Sequence, residues 1–202
     1  MKPAANLREI VPGAWVWSAF HEKWKVDFCS AAWRGSDGLA LIDPIRLEEA
    51  NLARLEQIGR PAAILLTNQN HERDAEWFRQ RYGIKVHVHR DAVPGIEITP
   101  DSFFCDGAIL PGGLKAIHLP GASLSESAFY TEASGGIVFL GDMAIHSPGN
   151  LHWLPAEHCQ DAKRNRDSAQ NLLGYSFETV TFAHGAPISP DAKSALAKLI
   201  AR

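Results

Sequence analysis

The chain has 202 residues, 46% of them hydrophobic and 21% charged, which suits one globular domain with a sizeable core and rules out a fibrous or disordered makeup. Its net charge of −3 argues against a nucleic-acid partner, which calls for a basic face. Three well-separated cysteines, Cys29, Cys105 and Cys159, are odd in number and form no CxxC pair, so neither a disulfide framework nor a cysteine zinc site is expected.

The opening residues Met1 to Asn6 lack the apolar stretch of a signal peptide. No run of about 18 apolar residues occurs, so no membrane contact is expected. These features fit reduced thiols in a cytoplasmic protein.

Strand-like segments come first. Trp15 to Phe20 and Val26 to Trp33 are rich in aromatic and β-branched residues and flank the polar turn His21 to Lys25. Gly35 to Gly38 is turn chemistry. Leu39 to Pro44 is a short apolar strand that ends in Asp43. The period then changes: Leu52, Leu55 and Ile58 stand at helical spacing, with Gly59 as a stop signal. Ala62 to Thr67 reads as a buried strand, Glu72 to Tyr82 as a helix with Trp77 and Phe78 inward, and Ile84 to His89 as a strand. This alternation predicts parallel strands joined by crossover helices.

The second half repeats the theme. Strands are predicted over Leu114 to Leu119, Ser127 to Tyr130, Ile137 to Leu140 and Thr179 to Phe182. Helices are predicted over Asp161 to Leu173 and Asp191 to Ala201, the latter capped near Ser189 or Asp191. No linker or repeat divides the chain, so residues 1–202 form one predicted domain.

Five landmarks close apolar strands: Leu41-Ile42-Asp43-Pro44, Leu65-Leu66-Thr67, Leu119-Pro120-Gly121, Leu140-Gly141-Asp142 and Ala183-His184-Gly185. Ligand chemistry in α/β sheets gathers at such ends. Their order and spacing resemble the metallo-β-lactamase superfamily from about Ile10 to Ile188. The resemblance implies a four-layer αββα sandwich with two mixed sheets. It also implies a Thr-His-X-His-X-Asp-His motif after Thr67. With a later His, a Gly-Asp aspartate and a final His, that motif holds two zinc ions and activates a shared water.

Carried over by position, the ligand set is broken. Asn68 and Asn70 stand where two histidines would, Glu72 replaces the Asp, Arg73 replaces the last His of the motif, and Ala122 replaces the His of the Pro-Gly-His turn. Asp142 and His184 match. Alanine cannot ligate and arginine is always a cation. The expected pocket therefore comprises Asn68, Asn70, Glu72, Arg73, Ala122, Asp142 and His184, with no metal. Glu72 and Asp142 would then face each other as like charges, and Arg73 is expected to bridge one of them in the space of the second metal.

A one-residue slip of the loop would instead bring His71 and Asp74 beside Asp142 and His184 and rebuild a site for one zinc or other divalent ion. Without the slip, His71 starts the following helix and points to solvent, which is the expected arrangement. His87 and His89 share a strand face, with no other cluster expected to reach them. His118 precedes the Pro-Gly turn and is not the missing ligand. His146, His152 and His158 are expected at the surface or pocket rim. Trp24, in the first hairpin turn, is expected at the pocket rim, either as a substrate platform or as core. Trp15 and Trp17 read as packing.

Three functions follow as expectations. The first is a metal-poor relative that binds a small ligand or a partner in the residual pocket. The second is a hydrolase of ester, thioester or amide-like bonds with a rearranged single-metal site. The third is a structural or oligomerising protein, a homo-oligomer for instance. Neither a Gly-X-Ser-X-Gly nucleophile nor a phosphate loop is present.

Overall fold

The computed structural model describes residues 2–202. Seven strands form the first sheet in chain order: β1 (Arg8–Val11), β2 (Ala14–His21), β3 (Val26–Gly35), β4 (Gly38–Ile42), β5 (Pro61–Leu65), β6 (Lys85–His89) and β7 (Ser102–Phe104). The first four pair antiparallel. From β4 onward the pairing is parallel, as the strand–helix alternation requires. The crossovers are α1 (Glu49–Ile58) and α2 (Ala75–Tyr82).

The second sheet holds β8 (Ile109–Leu110), β9 (Leu114–His118), β10 (Ser127–Thr131), β11 (Ile137–Phe139) and β14 (Thr179–Thr181), in the spatial order β14-β11-β10-β9-β8. Only β11 and β14 pair in parallel. A separate ribbon, β12 (Ala144–Ser147) with β13 (Asn150–Trp153), follows β11. Helices α3 (Ala162–Ala169) and α4 (Ala192–Ile200) complete the chain.

Side-chain alternation sorts the core into three layers. On β4, Ala40 and Ile42 face the gap between the sheets, where they meet Leu65, Phe129, Ile137 and Phe139. Leu39 and Leu41 face the other way, onto a cluster with Leu52 and Leu55 of α1 and Phe78 of α2. On β11, Val138 points outward to Leu172 and to Leu196 of α4. The order helix, sheet, sheet, helix is the expected αββα sandwich, with both sheets mixed.

Trp15 and Trp17 are buried, and the Trp17 indole N–H donates to the Ile45 carbonyl at 2.7 Å. The predicted helix over Asp161 to Leu173 is shorter than expected: residues 170–174 tighten into a 3₁₀ turn. Strands β1, β7, β8 and the β12–β13 ribbon carry no clear period in the sequence and emerge only through pairing. Among the described residues no helix is long and apolar enough to cross a membrane.

Candidate functional site

The C-terminal ends of β4, β5, β11 and β14 meet along one edge of the sandwich. At the first end Asp43 adopts φ +46°, a left-handed conformation that Asp tolerates better than most residues. Its buried carboxylate accepts the Thr67 backbone N–H at 2.8 Å and the Thr67 hydroxyl at 2.5 Å, which ties the β4 and β5 ends together.

His71 completes that group. It is 4% exposed, and its Nδ1 lies 2.9 Å from Asp43 Oδ2 and 2.8 Å from Thr67 Oγ1. Its Nε2 faces Asp142 Oδ2 at 3.2 Å. The expectation of a solvent-facing His71 is therefore wrong: helix α2 starts only at Ala75, and residues 68–74 form a loop that turns the imidazole inward. From the other sheet, His184 Nδ1 bonds the Asp27 carbonyl at 2.9 Å and its Nε2 faces Asp142 Oδ1 at 3.2 Å. His71, Asp142 and His184 thus present three ligand atoms within 4.8 Å of one another.

Asn68 lies in this group as expected. Its amide donates to Asp142 Oδ2 at 3.2 Å and to Glu126 Oε2 at 2.8 Å, while its own Oδ1 accepts the Asn70 N–H. Asn70 lines the adjoining pocket. Ala122 is buried, and its carbonyl accepts the Gln160 N–H.

Three other expected residues are placed differently. Glu72 turns away from Asp142 and accepts the backbone N–H groups of Glu97 and Ile98. Asp74 pairs with Arg46, at 3.0 Å to Nε and 2.9 Å to the backbone N, and so belongs to no metal set. Arg73 makes no bridge to Glu72 or Asp142. Its guanidinium donates to the carbonyls of Cys29, Asp43 and Ala183. At φ +45° its backbone directs the side chain under the strand ends, where it links β3, β4 and β14 and lies on the Phe28 ring.

Glu126 is a site residue the expectations missed. It is fully buried, and its Oε1 accepts the Asp142 backbone N–H at 2.6 Å. A Cβ on Gly141 would overlap both Glu126 Oε1 and Thr67 Oγ1, so only glycine allows this approach. The available signal was its position: two residues before Ala128 and four before Tyr130, on the face that packs into the core.

Charge in the cluster follows from burial and neighbours. Burial opposes a charge on His71, but the carboxylates of Asp142 and Asp43 prevail and its pKa is pushed up to about 10. Asp142 is held well below the usual carboxylate range: burial opposes ionisation, and the His71 charge with the close approach of both imidazoles outweighs it. Burial and the Asp142 charge push Glu126 up to about 8. Burial raises the Cys29 thiol, which donates to the Gly185 carbonyl.

Above the triad opens a cavity of about 540 Å³, bordered by the β2–β3 hairpin and by residues near the β12–β13 ribbon. Trp24 is 60% exposed and lines this cavity, so it is rim and not core. His158 also lines it. His146 bonds the Ala186 carbonyl, and His152 bonds Ser147 and the Trp153 carbonyl.

His89, on β6 beside His87, is not isolated as expected. The His118 ring stacks on it at 3.9 Å and 19°, with Asp91 nearby. His118 Nε2 is engaged by the Leu124 carbonyl, and His89 Nδ1 accepts the Asp91 N–H. Co-facial rings keep their in-plane lone pairs in near-parallel planes, which does not suit one shared ion.

Comparison with known proteins places this geometry. A metallo-β-lactamase from Pontibacter korlensis superposes with TM-score 0.77 at 17% identity, covering 98% of this chain and 99% of that one. The DIM-1 metallo-β-lactamase gives 0.79 at 13% identity, covering 99% and 98%. TTHA1623, solved in a di-iron-bound form, gives 0.68 at 22% identity, covering 90% and 97%. At these identities the likeness concerns the fold. A search of curated proteins by sequence found no match. The profile described as metallo-beta-lactamase superfamily matches residues 8–202, and with nearly the whole chain inside that match, this protein belongs to the metallo-β-lactamase superfamily.

Proposed function

We propose that this protein holds one divalent cation between His71, Asp142 and His184 and hydrolyses an ester, thioester or amide-like bond in the adjoining cavity. One observation carries the reading: two imidazoles turn Nε2 toward the two oxygens of a single carboxylate, while each Nδ1 is engaged elsewhere. A ligating histidine is characteristically oriented by a carboxylate or carbonyl on its other nitrogen. Asp43 and the Asp27 carbonyl stand in those places.

The donors fit such an ion. Two nitrogens and a carboxylate are a familiar catalytic set that leaves one position open. Among the described residues, buried Asp142 Oδ1 makes no aligned hydrogen bond. A divalent ion supplies Lewis acidity and brings the pKa of water toward neutrality. The chain's part is orientation: Asp43 and Thr67 fix His71, Glu126 and Asn68 fix Asp142, and Arg73 ties together the strand ends beneath. TTHA1623 carries two irons; with Asn68, Asn70 and Ala122 in the first-metal positions, the donors here suffice for one ion.

A second reading rests on the raised pKa of His71. An imidazolium between Asp43 and Asp142 would itself supply the positive charge, leaving a metal-free pocket that binds a small ligand. Elemental analysis of protein purified without chelator, followed by zinc or cobalt titration, separates the two. One equivalent, lost in His71→Ala and His184→Ala but kept in Asp74→Asn, supports the hydrolase. No tight binding to wild type removes it and leaves the ligand-binding reading.

A further inference from the structure

We infer that the substrate of this cavity carries an uncharged, apolar group on the side away from the scissile bond, and that anionic analogues of equal size are rejected. The inference rests on the hydrolase reading for the bond that breaks, and on the cavity walls for the selectivity.

The cavity volume, about 540 Å³, falls in the range of small-molecule sites. Trp24, Val26 and Phe28 of the hairpin form one wall, and Ile145, Leu154 and Pro155 form the other. The candidate metal triad forms the floor. Only Asn70 and His158 add further polar groups, and among the described lining residues none is Lys or Arg.

No nearby lysine or arginine among the described residues lines the cavity, and the His71 charge is faced by Asp43 and Asp142. Arg73 is engaged by three carbonyls below the floor. Lys25 pairs with Glu22 at 3.2 Å, and Lys23 lies over the Trp24 ring. A carboxylate or phosphate on the distal part of a ligand would lose its hydration against apolar walls and gain no counter-charge, which is unfavourable. An alkyl or aryl group would cover the walls and the face of Trp24, which stands 60% exposed at the mouth.

A matched pair of probes tests this on the metal-free protein, independently of turnover. N-Phenylhexanamide and the monoanilide of adipic acid differ by one terminal carboxylate. Binding is followed by tryptophan fluorescence, with Trp24→Phe identifying the responding residue. The neutral amide is expected to bind at least about tenfold more tightly. Leu154→Arg, checked for native circular dichroism, is expected to reverse that order by placing a cation in the wall. Equal or tighter binding of the anion to wild type, or no binding of either probe at millimolar concentration, overturns the inference. Turnover of 4-nitrophenyl hexanoate with added zinc tests the reaction separately. If the probes are discriminated but the ester is not cleaved, the selectivity stands and the hydrolase reading falls.

Discussion

His71 and Asp43 form a buried pair: the imidazole Nδ1 lies 2.9 Å from Asp43 Oδ2, and this contact turns Nε2 toward Asp142. Because Asp43 is no member of the donor set and meets it through His71, Asp43→Asn should leave the three donors in place but misdirect one imidazole. Metal affinity should fall roughly 10- to 100-fold. Competition against a chromogenic chelator measures it, and an unchanged affinity would show that Asp43 merely braces the loop.

Arg73 serves three carbonyls from three strands. Arg73→Ala leaves them without this donor and should cost on the order of 3 kcal/mol in urea unfolding. Glu72, which binds the Glu97 and Ile98 amides instead, should not be coupled to it. The Arg73→Ala/Glu72→Gln cycle should be additive within about 0.5 kcal/mol.

Gly141 lets Glu126 and Thr67 approach the backbone beside Asp142. Gly141→Ala should overpack this point and cost about 1–3 kcal/mol. Since Glu126 holds the Asp142 N–H, the same variant should weaken metal binding, whereas a Gly107→Ala control at an open turn should affect stability alone.

His89 predicts an acid-sensitive fold. Burial, with the neighbouring charges of His118 and Arg90 and against those of Asp91 and Asp106, lowers its pKa from 6.5 to about 4. Between those values the unfolded chain binds the proton and the folded one does not. The stability associated with His89 is therefore full above pH 6.5 and declines as the pH falls toward 4. Urea unfolding at pH 7 and pH 4.5 should show a loss on the order of 1–3 kcal/mol that is smaller in His89→Phe. An equal loss in both proteins would assign the acid sensitivity to other groups.

Much of the framework was legible in the sequence. Leu39 to Ile42 and Ile137 to Phe139 were legible as strands, but an all-apolar run marks neither face, and packing decided which side chains enter the gap between sheets. Four apolar strands were expected to end at Asp43, Thr67, Asp142 and His184, and those ends do converge: Asp43 meets Thr67 and Asp142 meets His184. What the chain order could not set was the direction of side chains in the aperiodic loops. His71 turns inward, Asp74 turns toward Arg46, and Arg73 reaches beneath the strand ends. Those directions depend on partners distant in sequence and on a positive φ at Arg73 that no residue pattern announces. Glu126 and the His89–His118 stack belong to the same class. A buried acid or a stacked imidazole is defined by what packs around it, and only the folded chain brings those neighbours together.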